Sequence, residues 1–291
     1  MFGDLLAIIA PVFVCAGIGY IWVKQDRPFE MDLVTALMTN IGAPSLIFIT
    51  LVEVEMTFDA FTTMAWASAA AIAGFTIISG VVLKATGSNI RAFIPSMMFT
   101  NCGNMGLPLS LLAFGDPGLA LAIVYFTVSS VFQFTIGVGI ASGEMSVSGL
   151  ARIPMLYAIF AAVAVIASGV TPPDVILNTT RLLGGMTIPM MLIALGVSLG
   201  RLRVASFKRS LLMSLLRLVM GFAVGYGVAW GFGFEGLERG IIIMQSAMPV
   251  AVFNYLFAER YKHNPEEVAG MVVLSTLISF ATLPALLWYV I

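Results

Sequence analysis

The chain has 291 residues, 60% of them hydrophobic and only 10% charged, with a formal net charge of −1. A soluble domain carries about 25% charged residues, so this chain cannot cover itself with polar surface, and its solvent must be lipid. At roughly 20 residues per transmembrane helix, ten helices use up most of the length, which excludes a separate soluble domain; no nucleic-acid partner is expected.

In chain order, the apolar runs predict helices at roughly Leu5–Val23, Leu33–Leu51, Phe61–Leu83, Phe93–Phe114 and Leu119–Ala141. A second set follows at roughly Ile153–Val170, Leu182–Leu199, Leu211–Phe232, Gly240–Phe257 and Val268–Ile291. The connections carry turn chemistry: Lys24 to Pro28, Ala85 to Asn89, Gly115 to Gly118, Thr171 to Asp174 and Lys262 to Pro265. The longest linker, Ser142 to Arg152, falls midway. The opening Met1-Phe2-Gly3-Asp4 has no basic region before the first apolar run, which is expected to be a retained helix.

The loop charges set an orientation. With the N-terminus outside, the inner loops hold Lys24, Arg27, Lys84, Arg91, Arg152, Arg201, Arg203, Lys208, Arg209, Arg260 and Lys262, while the outer loops hold only Arg181 and Arg239. The outer loops are acidic instead, with Glu53, Glu55, Asp59, Asp116, Asp174 and Glu235. Basic loops stay in the cytoplasm. Both termini are therefore expected on the non-cytoplasmic side of the cell inner (plasma) membrane.

Matched prolines suggest a repeat. Pro11 and Pro154, Pro44 and Pro189, and Pro108 and Pro249 are separated by 141 to 145 residues. Two five-helix halves, residues 1–141 and 153–291, would insert with opposite topology because five is odd, as in the inverted repeats of secondary transporters. The expected fold is an all-α integral membrane protein: ten transmembrane helices in a 5+5 inverted repeat, with helices four and nine broken and crossing.

Helix four contains Thr100-Asn101-Cys102-Gly103-Asn104-Met105-Gly106-Leu107-Pro108. Pro108 has no N–H and opposes the carbonyl of Asn104, and the glycines let the backbone leave helical geometry. An unwound stretch between two half-helices is predicted, with its free N–H groups favouring an anion. Asn101, Gly103, Asn104, Gly106 and Pro108 are candidate substrate residues. Helix nine repeats the proline break in Gln245-Ser246-Ala247-Met248-Pro249, followed by Asn254 and Tyr255. Gln245, Ser246, Pro249, Asn254 and Tyr255 complete the candidate set.

Helices two and seven carry Gly42-Ala43-Pro44 and Ile188-Pro189, kinks expected to shape a scaffold. Gly196 to Gly200, and Gly221 to Gly225, are close-packing motifs. Arg217 is the one charge well inside a helix. It could snorkel to the interface or attract an anion along its path. The lack of any acidic residue at mid-depth argues against a carboxylate proton relay. Cys15 and Cys102 lie in apolar runs and are expected to pack; His263, beside Lys262 and Asn264, is expected in a loop. Neither a metal site nor a histidine-based enzyme is expected.

With these residues in hand, the chain resembles the auxin efflux carrier family, which includes plant auxin carriers and bacterial permeases for malate or malonate. The most specific pieces are Asn101 to Pro108, Pro189-Met190-Met191-Leu192 to Gly196, and Ala247-Met248-Pro249 through Tyr261, with Tyr255 and Tyr261 flanking Ala258. The resemblance implies a fold like that of bile-acid and sodium/proton transporters. Helices one, two, six and seven would form a scaffold, often dimeric. Helices three to five and eight to ten would form a mobile transport domain whose crossing holds the substrate. The long regulatory loop of the plant carriers is missing between the halves.

The functional expectation is a secondary transporter of a small organic anion, a carboxylate, working by elevator-type alternating access. An interior-negative cell drives anion export at about 2.3 kcal/mol per charge per 100 mV. Import would need coupled cations, and Asn104, Ser129, Ser130, Gln133 and Gln245 could supply a Na+ site. A Na+-coupled importer of bile-acid-symporter type is thus one alternative, and a membrane sensor or intramembrane enzyme another. The enzyme lacks the paired acids, histidine or Ser-Lys pair it would need at depth.

Overall fold

A computed structural model describes residues 2–54, 56–143 and 153–291. Met1, Glu55 and most of the expected central linker, 144–152 with Arg152, lie outside the described residues. Every described element is helical. In lipid no water satisfies backbone N–H and C=O groups, so long apolar runs close their own hydrogen bonds as helices.

Helix α1 spans Phe2–Lys24. Helices α2 (Met31–Leu37) and α3 (Ala43–Val54) run on from each other through a π-helical turn, Met38–Gly42. The turn comes just before Pro44, whose missing N–H leaves the carbonyl of Asn40 unserved. Helix α4 (Phe58–Ala85) starts on Thr57, whose hydroxyl accepts from the Ala60 N–H at 3.2 Å. Helix α5 (Ile90–Met98) starts on Asn89, whose side chain accepts from the N–H groups of Arg91 and Ala92.

A wide π-helical turn, Cys102–Gly106, leads into α6 (Leu107–Phe132), which bends sharply at Gly115. Gly115 has φ 66°, a conformation open to glycine and costly for other residues. The bend falls within the Gly115–Gly118 stretch expected to be a turn. A further π turn, Gln133–Gly137, joins α6 to α7 (Val138–Ser142).

After the linker come α8 (Pro154–Ser168), α9 (Asp174–Gly185), α10 (Thr187–Arg201) and α11 (Phe207–Gly231). The chain ends with α12 (Gly236–Ala247), α13 (Val252–Arg260) and α14 (Pro265–Val290). The segment Thr171 to Leu182, expected to begin as a turn, is helical from Asp174, because the acidic Asp174 in the first turn suits a helix start.

Among the described residues, seven helical stretches are long and apolar enough to cross a membrane by themselves. The ten expected segments and these seven differ where the chain breaks. Cys102–Ser142 is continuous in hydropathy although it bends at Gly115, α8 has 15 residues, and α12 and α13 are 12 and 9 residues on either side of a break. The proline matches are also unequal: Pro11 sits inside α1, whereas Pro154 opens α8.

The heaviest packing pairs are α1 with α10, α3 with α8 and α9, α11 with α12 and α14, and α4 with α5 and α6. The α1–α10 contact is backbone on backbone: a side chain at Gly196 would overlap the carbonyl of Ala16, and one at Gly19 that of Ile193. This is the small-residue packing expected of the Gly196–Gly200 motif.

Candidate functional site

The two breaks meet. Phe99 is extended (φ −101°, ψ 114°), as are Met248 (ψ 150°) and Ala251 (ψ 139°). Thr100 and Val250 form an antiparallel bridge. The Asn101 N–H donates to the Pro249 carbonyl at 2.7 Å, and the Ala251 N–H donates to the Phe99 carbonyl at 3.3 Å. Each unwound segment thus satisfies the backbone that the other leaves open. The first break lies at Phe99–Asn101, upstream of the glycines. The glycine-rich Cys102–Gly106 stretch instead forms the π turn, in which the Leu107 N–H reaches back to Cys102. That wider register accommodates the Asn104 carbonyl, which Pro108 cannot serve.

Against the crossing lies a cavity of about 340 Å³, within the ~300–1,000 Å³ range of small-molecule sites. Thr100, Asn101, Cys102, Gly103 and Asn104 line it from the first break, and Ala251, Val252, Phe253, Tyr255 and Leu256 from the second. Phe126, Ser130, Gln133 and Phe134 form a third wall. The opposite wall comes from α2 and the π turn after it, with Met31, Thr35 and Met38, and from α10, with Met191, Ala194, Ser198 and Arg201.

The first turn of a helix leaves its N–H groups without intrahelical acceptors. Gly103 and Asn104 open one half-helix and Val252 and Phe253 open the other, and all four face the cavity. Asn101 is 3% exposed, and its amide Nδ2 has no acceptor. The Asn104 side chain has no partner among the described residues. Two charged residues line the space, Asp32 and Arg201, both at its far end; an Arg201 guanidinium N–H donates to the Phe29 carbonyl at 2.6 Å.

The predicted site residues divide into two groups. Asn101, Gly103, Asn104 and Tyr255 line the cavity. Tyr255 also donates its hydroxyl to Glu259 at 2.9 Å. Gly106, Pro108, Gln245, Ser246, Pro249 and Asn254 do not line it; they build the crossing behind it. Gln245 is wholly buried and donates to the Ser110 hydroxyl at 2.9 Å, and Gly106 is free of a side chain because a Cβ there would overlap the Gln245 amide. Asn254 donates to the Phe99 carbonyl at 3.0 Å and accepts from Gln133 at 3.1 Å, so it pins one half-helix end to another segment.

Of the residues expected around an ion, Asn104, Ser130 and Gln133 share the cavity wall, while Ser129 and Gln245 face elsewhere. Arg217 does not snorkel: it is 0% exposed and donates to the Ser246 carbonyl at 3.1 Å. Cys15 and Cys102 are free thiols, and His263 lies in the turn after α13, 3.1 Å from the Ala141 carbonyl. Among the described residues no group of three His, Cys, Asp or Glu could hold a metal ion.

Arg201 is the functional candidate that loop counting hid. The signal was available: Met191, Ala194, Ser198 and Arg201 recur at helical spacing and share one face.

The sequence profile of a family described as "Membrane transport protein" matches residues 138–289. A protein of Methanothermobacter thermautotrophicus described as "Uncharacterized transporter" is 27% identical over 66% of this chain and 64% of its own length. A protein of Rhizobium meliloti described as "Putative malonate transporter" is 22% identical over 99% of this chain and 96% of its own. Auxin efflux carrier component 1 of Arabidopsis thaliana is 24% identical over 41% of this chain and 19% of its own. The match thus spans under two thirds of the first of these relatives.

Proposed function

We propose that this chain, which belongs to the auxin efflux carrier family of membrane transport proteins, is a secondary carrier for a small organic anion. The observation that carries the reading is the convergence of two half-helix N-terminal ends, with the unpartnered Asn101 amide, on one cavity. Helix N-termini favour negative charge; at the far end Arg201 adds a cation and Asp32 a carboxylate, so the half-helix ends carry the preference for an anion. The relative described as a malonate transporter makes malonate the first substrate to try.

The ten-segment inverted repeat is part of this proposal. Its support is that α5 with the start of α6, and α12 with α13, are both broken helices with the breaks paired, and that Gly115 divides α6. The packing supports a scaffold of α1 to α3 and α8 to α10 beside a transport domain of α4 to α7 and α11 to α14, because the heaviest contacts fall within these sets. Under the loop-charge orientation the Arg201 end is cytoplasmic, so the cavity opens inward. Elevator-type motion would then carry the crossing past α10. A cysteine pair linking α10 to the Cys102–Gly106 turn, which it touches here, should block flux on oxidation; undiminished flux would rule the motion out. A homodimer through the scaffold is also proposed, as the family resemblance implies. A monomeric mass in lipid nanodiscs would refute it.

The test of the carrier reading is uptake of radiolabelled malonate into liposomes holding the purified chain, driven by an inside-positive potential. Saturable uptake, lowered at least about fivefold by Arg201→Gln, a loss near 1 kcal/mol, is expected. Uptake no faster than in empty liposomes would sink the malonate reading.

A further inference from the structure

The strongest unexplained feature outside the cavity is Arg217. It lies in α11, wholly buried, with its guanidinium carbon 4.6 Å from the centroid of the Phe75 ring. One of its terminal nitrogens donates to the Ser246 carbonyl, while Nε and Nη1 have no acceptor. Among the described residues no carboxylate pairs with it. Gly221, one turn further along α11, makes room, because a Cβ there would stand 2.6 Å from Nη1. Burying a charge without a counter-ion is costly, so some other group must hold it in place.

That group is the end of α12. Ser246 lies in its last turn, where carbonyls lack intrahelical donors and the helix dipole is negative. In carriers built on broken helices, such C-terminal ends and unwound carbonyls are where a coupling cation is held. Here both ends at the crossing are already occupied by the protein's own donors. Arg217 takes the end of α12, and the Asn254 amide takes the Phe99 carbonyl at the end of α5.

We propose that Arg217 is a built-in counter-cation of the crossing, standing where a coupling Na+ would otherwise bind, so that the transport cycle runs without Na+. The inference rests on the carrier reading. It departs from the expectation of a Na+ site built from neutral side-chain oxygens. Arg217 acts through the half-helix end and not by touching the substrate, so it is a positioning residue.

The experiment compares the full chain with Arg217→Gln and Arg217→Lys. Glutamine keeps a donor for the Ser246 carbonyl and removes the charge; lysine keeps the charge. Thermal unfolding in detergent is followed in sodium chloride and in choline chloride at equal ionic strength, and malonate uptake is measured in the same two media. The wild-type protein and the lysine variant should melt and transport alike in both. The glutamine variant should lose at least about tenfold in uptake in choline, as for removal of one charge-assisted bond. Its melting temperature should then rise in Na+, because the vacated carbonyl end can accept a cation. A merely packed arginine would give a glutamine variant equally weakened in both salts. Either that result, or a Na+ requirement in the wild-type protein, overturns the proposal. Should the glutamine variant not fold, Na+ dependence of melting or uptake in the wild-type protein or the lysine variant still overturns the proposal. If no protein takes up malonate, the substrate reading fails while the melting comparison continues to judge Arg217.

Discussion

Asn254→Ala separates a clamp from a ligand. The sequence placed Asn254 among the substrate residues, but the structure buries it at 2% exposure between the Phe99 carbonyl and the Gln133 amide. Truncation removes both hydrogen bonds. The Phe99 carbonyl keeps the Ala251 N–H, and Gln133 can turn toward the cavity it lines, so neither group is left wholly without a partner. Side-chain hydrogen bonds are worth about 0.5–1.5 kcal/mol each in water and average about 0.6 kcal/mol within membranes. The expected cost is therefore about 1–3 kcal/mol of stability. It would be read by denaturant unfolding in bicelles, as a cycle with Gln133→Ala and the double variant. The two single changes should couple, because each removes the same Gln133–Asn254 bond. An Asn254→Ala protein as stable as wild type but unable to transport would show that Asn254 meets substrate directly and that the clamp is incidental.

Three further outcomes are expected. Asn104→Ala should lower malonate flux about tenfold, the equivalent of roughly 1.4 kcal/mol, at unchanged melting temperature, because the Asn104 side chain faces the cavity and bonds to no described residue; unchanged flux at normal protein levels would remove it from the site. Pro249→Ala should cost less than about tenfold in flux despite the roughly 3 kcal/mol by which proline disfavours a helix. Re-forming the helix would break the Asn101–Pro249, Ala251–Phe99 and Val250–Ser275 hydrogen bonds, so a larger loss at normal expression would show that proline alone holds the segment open. A reporter fused after Ile291 should be active only when suited to the non-cytoplasmic side, and activity confined to the cytoplasm would overturn both the orientation and the inverted repeat.

The helical, membrane-embedded character was legible because composition leaves no alternative, and the two breaks were legible because proline and glycine are conspicuous in apolar runs. What the breaks do to each other was not. The pairing of Thr100 with Val250 is a contact between segments 150 residues apart, and nothing local encodes it. The faces of individual side chains were equally hidden. A moment shows which face of a helix is polar but not which neighbour that face meets. Gln245 could therefore not be assigned to Ser110 and away from the cavity, nor Arg217 to the Ser246 carbonyl and away from the interface. Arg201 was miscast for the opposite reason: a charge at a helix end is counted as loop chemistry, although its spacing from Met191, Ala194 and Ser198 puts it on the cavity wall.

The mutual pairing of the breaks constrains how such a carrier can move. An unwound segment in the hydrocarbon region exposes backbone groups that water cannot reach, each costing several kcal/mol if left unmet. Here the two segments satisfy one another through Asn101 with Pro249 and Ala251 with Phe99, while Asn254 and Ser275 add side-chain bonds to the same backbone. A gate that opened by separating the segments would lose the Asn101–Pro249, Ala251–Phe99 and Asn254–Phe99 bonds at once, with only the walls of a small cavity to replace them. A motion that keeps α5, α6, α12 and α13 together loses none, and concentrates the change at the surfaces those helices share with α3, α10 and α1. On this argument the crossing is the rigid part of the proposed mechanism. The sliding surface of that proposed mechanism would lie along α10, where Met191, Ala194 and Ser198 offer small or flexible side chains, and Arg201 would stand at the cytoplasmic end, where an anion bound for export enters.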